Sequence, residues 1–281
     1  MTPAFFVFGL VCAGIFGALI GSFLNVVVYR VPAGRSIVSP PSACGSCGTE
    51  IKPYDNIPVV SWLALRGRCR TCRSAISARY PLVEAATAGA FAFVAWWFWA
   101  GPQAAPAMDG AALTARVLTV VAFLYLMAIT IALALIDLDT HRLPNAIVLP
   151  SYAVGVVLLG AASFVGGEPF ALARAAIGGA GLFLFYLVLA LVKPGGMGFG
   201  DVKLAGVLGL FLGFLGWAPL LVGAFAAFLL GGLFGIALLA SRRAGRRTGI
   251  PFGPWMLAGA WLGILAGPII GSAYLARRGL A

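Results

Sequence analysis

The chain has 281 residues, of which 62% are hydrophobic and only 10% charged, and its mean hydropathy is +1.03. Soluble domains are typically about a quarter charged, so a water-soluble enzyme and a disordered chain are both excluded. The net charge is +11, from 19 Lys+Arg against 8 Asp+Glu. In so apolar a chain that excess reads as basic loops facing anionic lipid. No basic stripe interleaved with aromatics points to nucleic acid.

Taken in chain order, apolar runs near residues 4–28, 82–100, 113–136, 146–165, 172–192, 203–218, 219–240 and 254–275 each approach the length of a membrane span. They predict an all-α polytopic membrane protein of about eight transmembrane helices. The first run has no basic n-region and no small-residue cleavage site, so it reads as a retained helix within residues 1–30. Residues 31–80 are the only extended polar stretch and form a small loop domain, and residues 81–281 carry the remaining helices. Leu204 to Ala240 is free of charge and too long for one span; the Gly216–Trp217–Ala218–Pro219 turn signal divides it.

Basic residues are asymmetric. Arg30, Arg35, Lys52, Arg66, Arg68, Arg70, Arg73 and Arg79 fall in the segment from Arg30 to Arg79, and Arg242, Arg243, Arg246 and Arg247 in a late loop. Arg142, Lys193 and Lys203 join them, leaving only Arg116, Arg174, Arg277 and Arg278 opposite. The positive-inside rule places the first group in the cytoplasm and both termini outside.

The polar stretch carries Cys44, Cys47, Cys69 and Cys72 in a C-x2-C-x21-C-x2-C pattern. Two CxxC knuckles supply four thiolates, the set that tetrahedral structural zinc takes. The stretch has few large apolar residues, so a metal staple explains how it folds. Disulfides are disfavoured in a reducing compartment; redox chemistry and free thiols remain the alternatives. A four-thiolate site leaves no open position for catalysis. Cys12, inside the first run, reads as a small buried hydrophobe.

Eight acids are available for chemistry. Glu50 and Asp55 belong to the polar stretch, and Asp109 and Glu168 to short outward loops where solvation is the simpler reading. Glu84 opens the second helix, where a carboxylate suits the N-terminal dipole. Asp137, Asp139 and Asp201 remain, at cytoplasmic ends of apolar helices, and an acid at membrane depth marks function. Asp137 and Asp201 lie on one side by helix count and can share a proton as base and acid. Glycines before Asp201, including Gly198 and Gly200, let an extended peptide approach the backbone. The competing reading has these acids capping helices or pairing with Arg142, Lys193 and Lys203. No HExxH or GxSxG occurs, and His141 is the only histidine, which removes two-histidine metalloprotease and serine-elbow chemistry.

Several segments together resemble one family. The first helix ends GSFLNVVVYRVP; the knuckles flank IKPYDNIPVVSWLALRGRC; ISARYPLVE follows; the third helix closes IDLDTHRLPN; then come GMGFGDVKL and IPFGPW. These resemble the type IV prepilin peptidases, GxGD intramembrane aspartyl proteases, in order and over nearly the whole chain. The resemblance implies that Asp137 and Asp201 are the catalytic pair, with Asp139 a neighbouring helper and Gly198 and Gly200 the GxGD glycines. Asn145 stands where the family often has Asp. The implied activity is cleavage of the basic leader of prepilins and pseudopilins after a Gly, on the cytoplasmic side of a bacterial inner membrane. Bifunctional members also N-methylate the new N-terminus with S-adenosylmethionine. No glycine-rich nucleotide loop locates a methyl-donor site here. A peptidase without methyltransferase activity, a transporter or channel using the intramembrane acids, and a scaffold that docks a secretion partner through its zinc loop are the competing classes. GxxxG spacings at Gly209/Gly213, Gly231/Gly235 and Gly259/Gly263/Gly267 are read as close helix packing.

Overall fold

A computed structural model describes residues 3–101, 109–193, 195–241 and 251–279. The described residues are helical, with no strand beyond two isolated bridges. The long helices are α1 (Pro3–Arg30), α3 (Arg79–Ala100), α4 (Gly110–Thr140), α5 (Asn145–Gly166), α6 (Pro169–Val192), α7 (Phe199–Leu215), α8 (Trp217–Ala240) and α9 (Gly253–Arg277). The short α2 (Val60–Ala64) lies in the polar stretch. Every apolar run became a helix, and the charge-free stretch breaks at Gly216, whose φ of 148° is open to glycine alone. The arginines at 242, 243, 246 and 247 lie outside the described residues.

Seven of these helices are long and apolar enough to cross a membrane. The eighth, α7, has 17 residues, about 25 Å at 1.5 Å per residue. Its residues Val202 and Leu204–Gly213 are all buried. A helix apolar on every face belongs inside other helices, and α7 packs against α5, α6, α8 and α9.

The chain divides into two compact units. The first holds α1 to α3 and residues 123–132 of α4. Here α1 meets α3 at Gly17 and Gly21: a Cβ on Gly17 would lie 2.7 Å from Thr87 O, and one on Gly21 2.8 Å from Glu84 Cα. The second unit holds the rest of α4 and α5 to α9. Its tightest crossings are α6 on α7 and α8 on α9. Gly178 faces the Gly209 carbonyl, and Gly259 faces Ala227 N with room for a Cβ only at 2.5 Å. Lipid offers helices no hydrophobic drive to associate, so close backbone contact through small residues is what holds such crossings. The spacings at Gly209/Gly213 and Gly259/Gly263/Gly267 sit at these contacts.

Glu84 does not open its helix. The helix starts at Arg79, and Glu84 lies past the first turn, buried at 8% exposure. Its Oε2 accepts the Val59 N–H at 2.7 Å, tying the polar stretch to α3. Val59 stands at φ 62°, an uncommon conformation for a β-branched residue. The charged group is therefore held by a backbone donor rather than by a helix end.

Candidate active site and metal centre

In the first unit the two cysteine pairs are built alike. Cys44 N–H donates to Thr49 O and Gly48 N–H to Cys44 O, both at 2.9 Å. Cys69 N–H donates to Ser74 O at 2.9 Å and Arg73 N–H to Cys69 O at 3.1 Å. One bridge closes each turn, Ala43 to Glu50 and Arg68 to Ala75. Even the flanking bonds correspond, Ile51 N–H to Ser42 O and Ile76 N–H to Gly67 O, each 2.8 Å. The fourth residue after the first cysteine is left-handed in both, Gly48 at φ 69° and Arg73 at φ 60°. Glycine takes that conformation without strain; arginine does not.

The four Sγ atoms lie within 4.8 Å of one another. Zn–S bonds of about 2.3 Å place tetrahedral sulfurs about 3.8 Å apart, and Cys44 Sγ to Cys72 Sγ is 3.8 Å. The cluster can hold a metal ion. Its electrostatics favour ligation: the Cys47 backbone N–H, then the Ser74 hydroxyl, draw the Cys44 thiol down to about 5. The Ser74 hydroxyl likewise lowers Cys72. For Cys69 the Cys72 N–H pulls down, but burial and the neighbouring thiols push it up on balance. Metal coordination deprotonates such a thiol outright. Arg70, inside the second knuckle, donates from Nε to both Asp55 oxygens at 2.8 and 3.0 Å. That guanidinium holds the Asp55 carboxyl below its usual range. Trp62 Nε1 donates to Ile76 O at 3.1 Å and completes the fold of the segment.

In the second unit three helix ends meet. Asp137 lies in the last turn of α4 and is 4% exposed. The helix stops at left-handed His141, whose N–H donates to Asp137 O at 2.9 Å. That gives His141, itself exposed, a terminating role. Asp139 is exposed; two residues along a helix is about 200° of rotation, so its side chain leaves α4 on the opposite face.

Asp201 sits in the first turn of α7 and is half-buried; its Oδ2 accepts the Gly198 N–H at 3.2 Å. The capping part of the competing reading therefore holds for Asp201. The ion-pair part does not: among the described residues neither Asp137 nor Asp201 forms a salt bridge with Arg142, Lys193 or Lys203. Lys203 turns instead to Asn145 Oδ1 at 2.9 Å, over the Phe199 ring. Asn145, noted above as a departure, thus still accepts a bond that joins the starts of α5 and α7.

Asp137 and Asp201 are near enough to interact electrostatically. Leu143 lies between their supports: Cβ atoms built on Gly200 and Gly253 would fall 3.0 Å from Leu143 Cβ and 3.2 Å from its Cδ2. Gly253, the first residue of α9, donates its N–H to Asp137 Oδ2 at 3.0 Å. Leu143 and Gly253 were not picked out as site residues from the sequence. Their motifs, LPN and IPFGPW, were visible, but nothing in them shows that they face a carboxylate.

Fold and site together define an all-helical, multi-pass membrane protein with two aspartates gathered at helix ends and a separate four-cysteine cluster. The chain belongs to the type IV leader peptidase family. Residues 15–98 match the bacterial peptidase A24 N-terminal domain and residues 124–236 the type IV leader peptidase family. It is 36% identical to the prepilin leader peptidase/N-methyltransferase of Pseudomonas aeruginosa over 94% of this chain and 92% of the relative. The protein of the same name from Pseudomonas putida is 37% identical over 95% and 93%. That from Neisseria gonorrhoeae is 32% identical over 91% and 90%. No solved structure matches the chain.

Proposed function

We propose that this protein is a prepilin leader peptidase that also methylates the N-terminus it exposes, with Asp137 and Asp201 as the catalytic pair. The observation that carries the reading is the placement of both carboxylates, from helices distant in sequence, around Leu143, Gly200 and Gly253 in a family of that activity.

The chemistry follows from two carboxyl groups, one ionised and one protonated. The ionised group takes a proton from water as the water oxygen bonds to the scissile carbonyl carbon. The other gives its proton to the carbonyl oxygen, so no full negative charge builds up. Collapse of the tetrahedral species breaks the C–N bond, and the amine leaves with a proton. A backbone path lined by Gly198 and Gly200 favours small residues, in keeping with a Gly before the cut. The substrate's apolar helix lies in the membrane, and its scissile bond sits at the cytoplasmic rim of the bacterial inner membrane, with both enzyme termini outside.

Zinc suits the cluster of Cys44, Cys47, Cys69 and Cys72. Its part is structural, closing a segment too small to hold itself together. The methyl donor of the second reaction is S-adenosylmethionine. The described residues contain no strand–loop–helix unit, so a Rossmann-type site does not fit, and no residue is assigned to the donor. The test incubates purified protein with a prepilin peptide, with and without S-adenosylmethionine. The expected products are a leader ending in Gly and, with donor only, an N-methylated mature peptide. Intact peptide in both arms overturns the reading.

A further inference from the structure

The start of α9 carries a backbone donor that leaves its own helix. A helix opens with four N–H groups that lack intrahelical partners. Pro254 has none to give. Trp255 and Met256 both turn theirs back to Phe252 O, at 3.1 Å each. Gly253 N–H instead leaves the helix and goes to Asp137 Oδ2 at 3.0 Å in buried surroundings.

The same residue has no space for a side chain. A Cβ on Gly253 would lie 2.7 Å from Asp137 Oδ2, 3.3 Å from Asp137 Cγ and 3.2 Å from Leu143 Cδ2. Neither side can yield easily. Asp137 follows Leu133 and Ile136, both fully buried, on α4. Across the gap, the Phe252 ring packs against Phe228 at 5.5 Å and Tyr186 at 6.3 Å, and Trp255 against Phe234 at 4.6 Å. The turn into α9 is clamped by aromatic packing on both sides of Gly253.

We propose that Gly253 is a positioning residue of the peptidase. Its amide fixes the Asp137 carboxylate, and its missing Cβ sets how closely α9 approaches that carboxylate. The inference rests on the reading of Asp137 as a catalytic group. A displaced carboxylate loses proton transfer in the transition state but leaves substrate binding alone, so the loss falls on kcat. An ångström of misplacement costs on the order of 100-fold.

The experiment compares Gly253→Ala, Leu143→Ala, the double variant, Phe252→Leu and Asp137→Asn, reading kcat, KM, thermal melting and metal content. Gly253→Ala is expected to lower kcat about 100-fold with KM within about two-fold of wild type, with metal content unchanged. Phe252→Leu adds no atom near Asp137 and changes little volume, so it should fold even if Gly253→Ala does not. By loosening the amide it is expected to lower kcat about ten-fold at unchanged KM. Wild-type kcat in Gly253→Ala, or in Phe252→Leu, overturns the proposal. So does recovery of the Gly253→Ala loss in the double variant, which would place the clash on Leu143. Full activity in Asp137→Asn overturns the catalytic reading itself, whereas an inactive Asp137→Asn beside an unimpaired Gly253→Ala overturns only the role of Gly253.

Discussion

In the polar segment, four thiols converge because one turn design occurs twice, with the same hydrogen bonds around Cys44–Cys47 and Cys69–Cys72. In the helical unit, two carboxylates converge because α4 ends, and α7 and α9 begin, in one place. The first arrangement is local: each knuckle is specified by residues within a few positions of its cysteines, and a metal needs only to join two finished halves. The second is collective. Asp137 is held by the Gly253 amide of α9 and Asp201 by the Gly198 cap of its own helix, and the spacing of the two depends on helices packed through glycine contacts along their length. A local site tolerates disturbance elsewhere, and a collective one does not.

The largest expected effect tests the pair directly. Asp137→Asn or Asp201→Asn should each reduce peptide cleavage by at least about 10³-fold, and the double variant should lose no more, because the two groups act as one unit. Cleavage kinetics on purified variants that retain metal check this, and wild-type turnover in either single variant removes the aspartyl mechanism. Next comes the collective support. Gly209→Val puts bulk against the Gly178 carbonyl, beyond the roughly 1–3 kcal/mol of ordinary overpacking. The melting temperature and cleavage should fall together while metal content stays at wild type. Loss of metal in that variant would contradict the independence of the two regions.

Gly200→Val and Gly198→Val crowd Leu143 and Asp201 Oδ2 respectively. Each should cut cleavage on the order of 100-fold with metal retained. Prepilin peptides with a large residue before the cut should be refused for the same reason; equal processing of such peptides would defeat the close-approach idea. Replacing any one of Cys44, Cys47, Cys69 or Cys72 with Ser should empty a site that holds about one zinc per chain. Cleavage should fall less than in the aspartate variants. Metal analysis of protein prepared without chelator decides the first point, and finding no zinc there ends the claim. The smallest effect concerns Arg73. Arg73→Gly relieves a left-handed arginine worth about 1 kcal/mol, so zinc should leave the loop more slowly when a chelator is added. Faster release would show that the arginine side chain, not the backbone, matters at that turn.

The helices were legible because an apolar run long enough to cross lipid has few alternatives to helix: unbonded backbone in hydrocarbon is too costly. The break at Gly216 was legible for a related reason, since Gly and Pro interrupt what nothing else does. Glu84 was misplaced because its partner, Val59, is a backbone donor whose position only folding reveals. The knuckle pattern was plain in the cysteine spacing, yet Arg73 gave no hint that it would take the conformation Gly48 takes.

By itself, the sequence determined the number and order of the long helices and the four-thiol cluster, and it narrowed the acids at membrane depth to Asp137, Asp139 and Asp201, because hydropathy, cysteine spacing and rare acids in an apolar chain are all one-dimensional signals; choosing Asp137 and Asp201 among them took the family resemblance. Tertiary structure alone decided that α7 is enclosed by its neighbours, that Lys203 bonds Asn145 rather than an acid, and that Gly253 reaches Asp137. Those outcomes depend on which helix ends meet. Helix ends meet where backbones can approach most closely, a property of paired surfaces that no single segment carries.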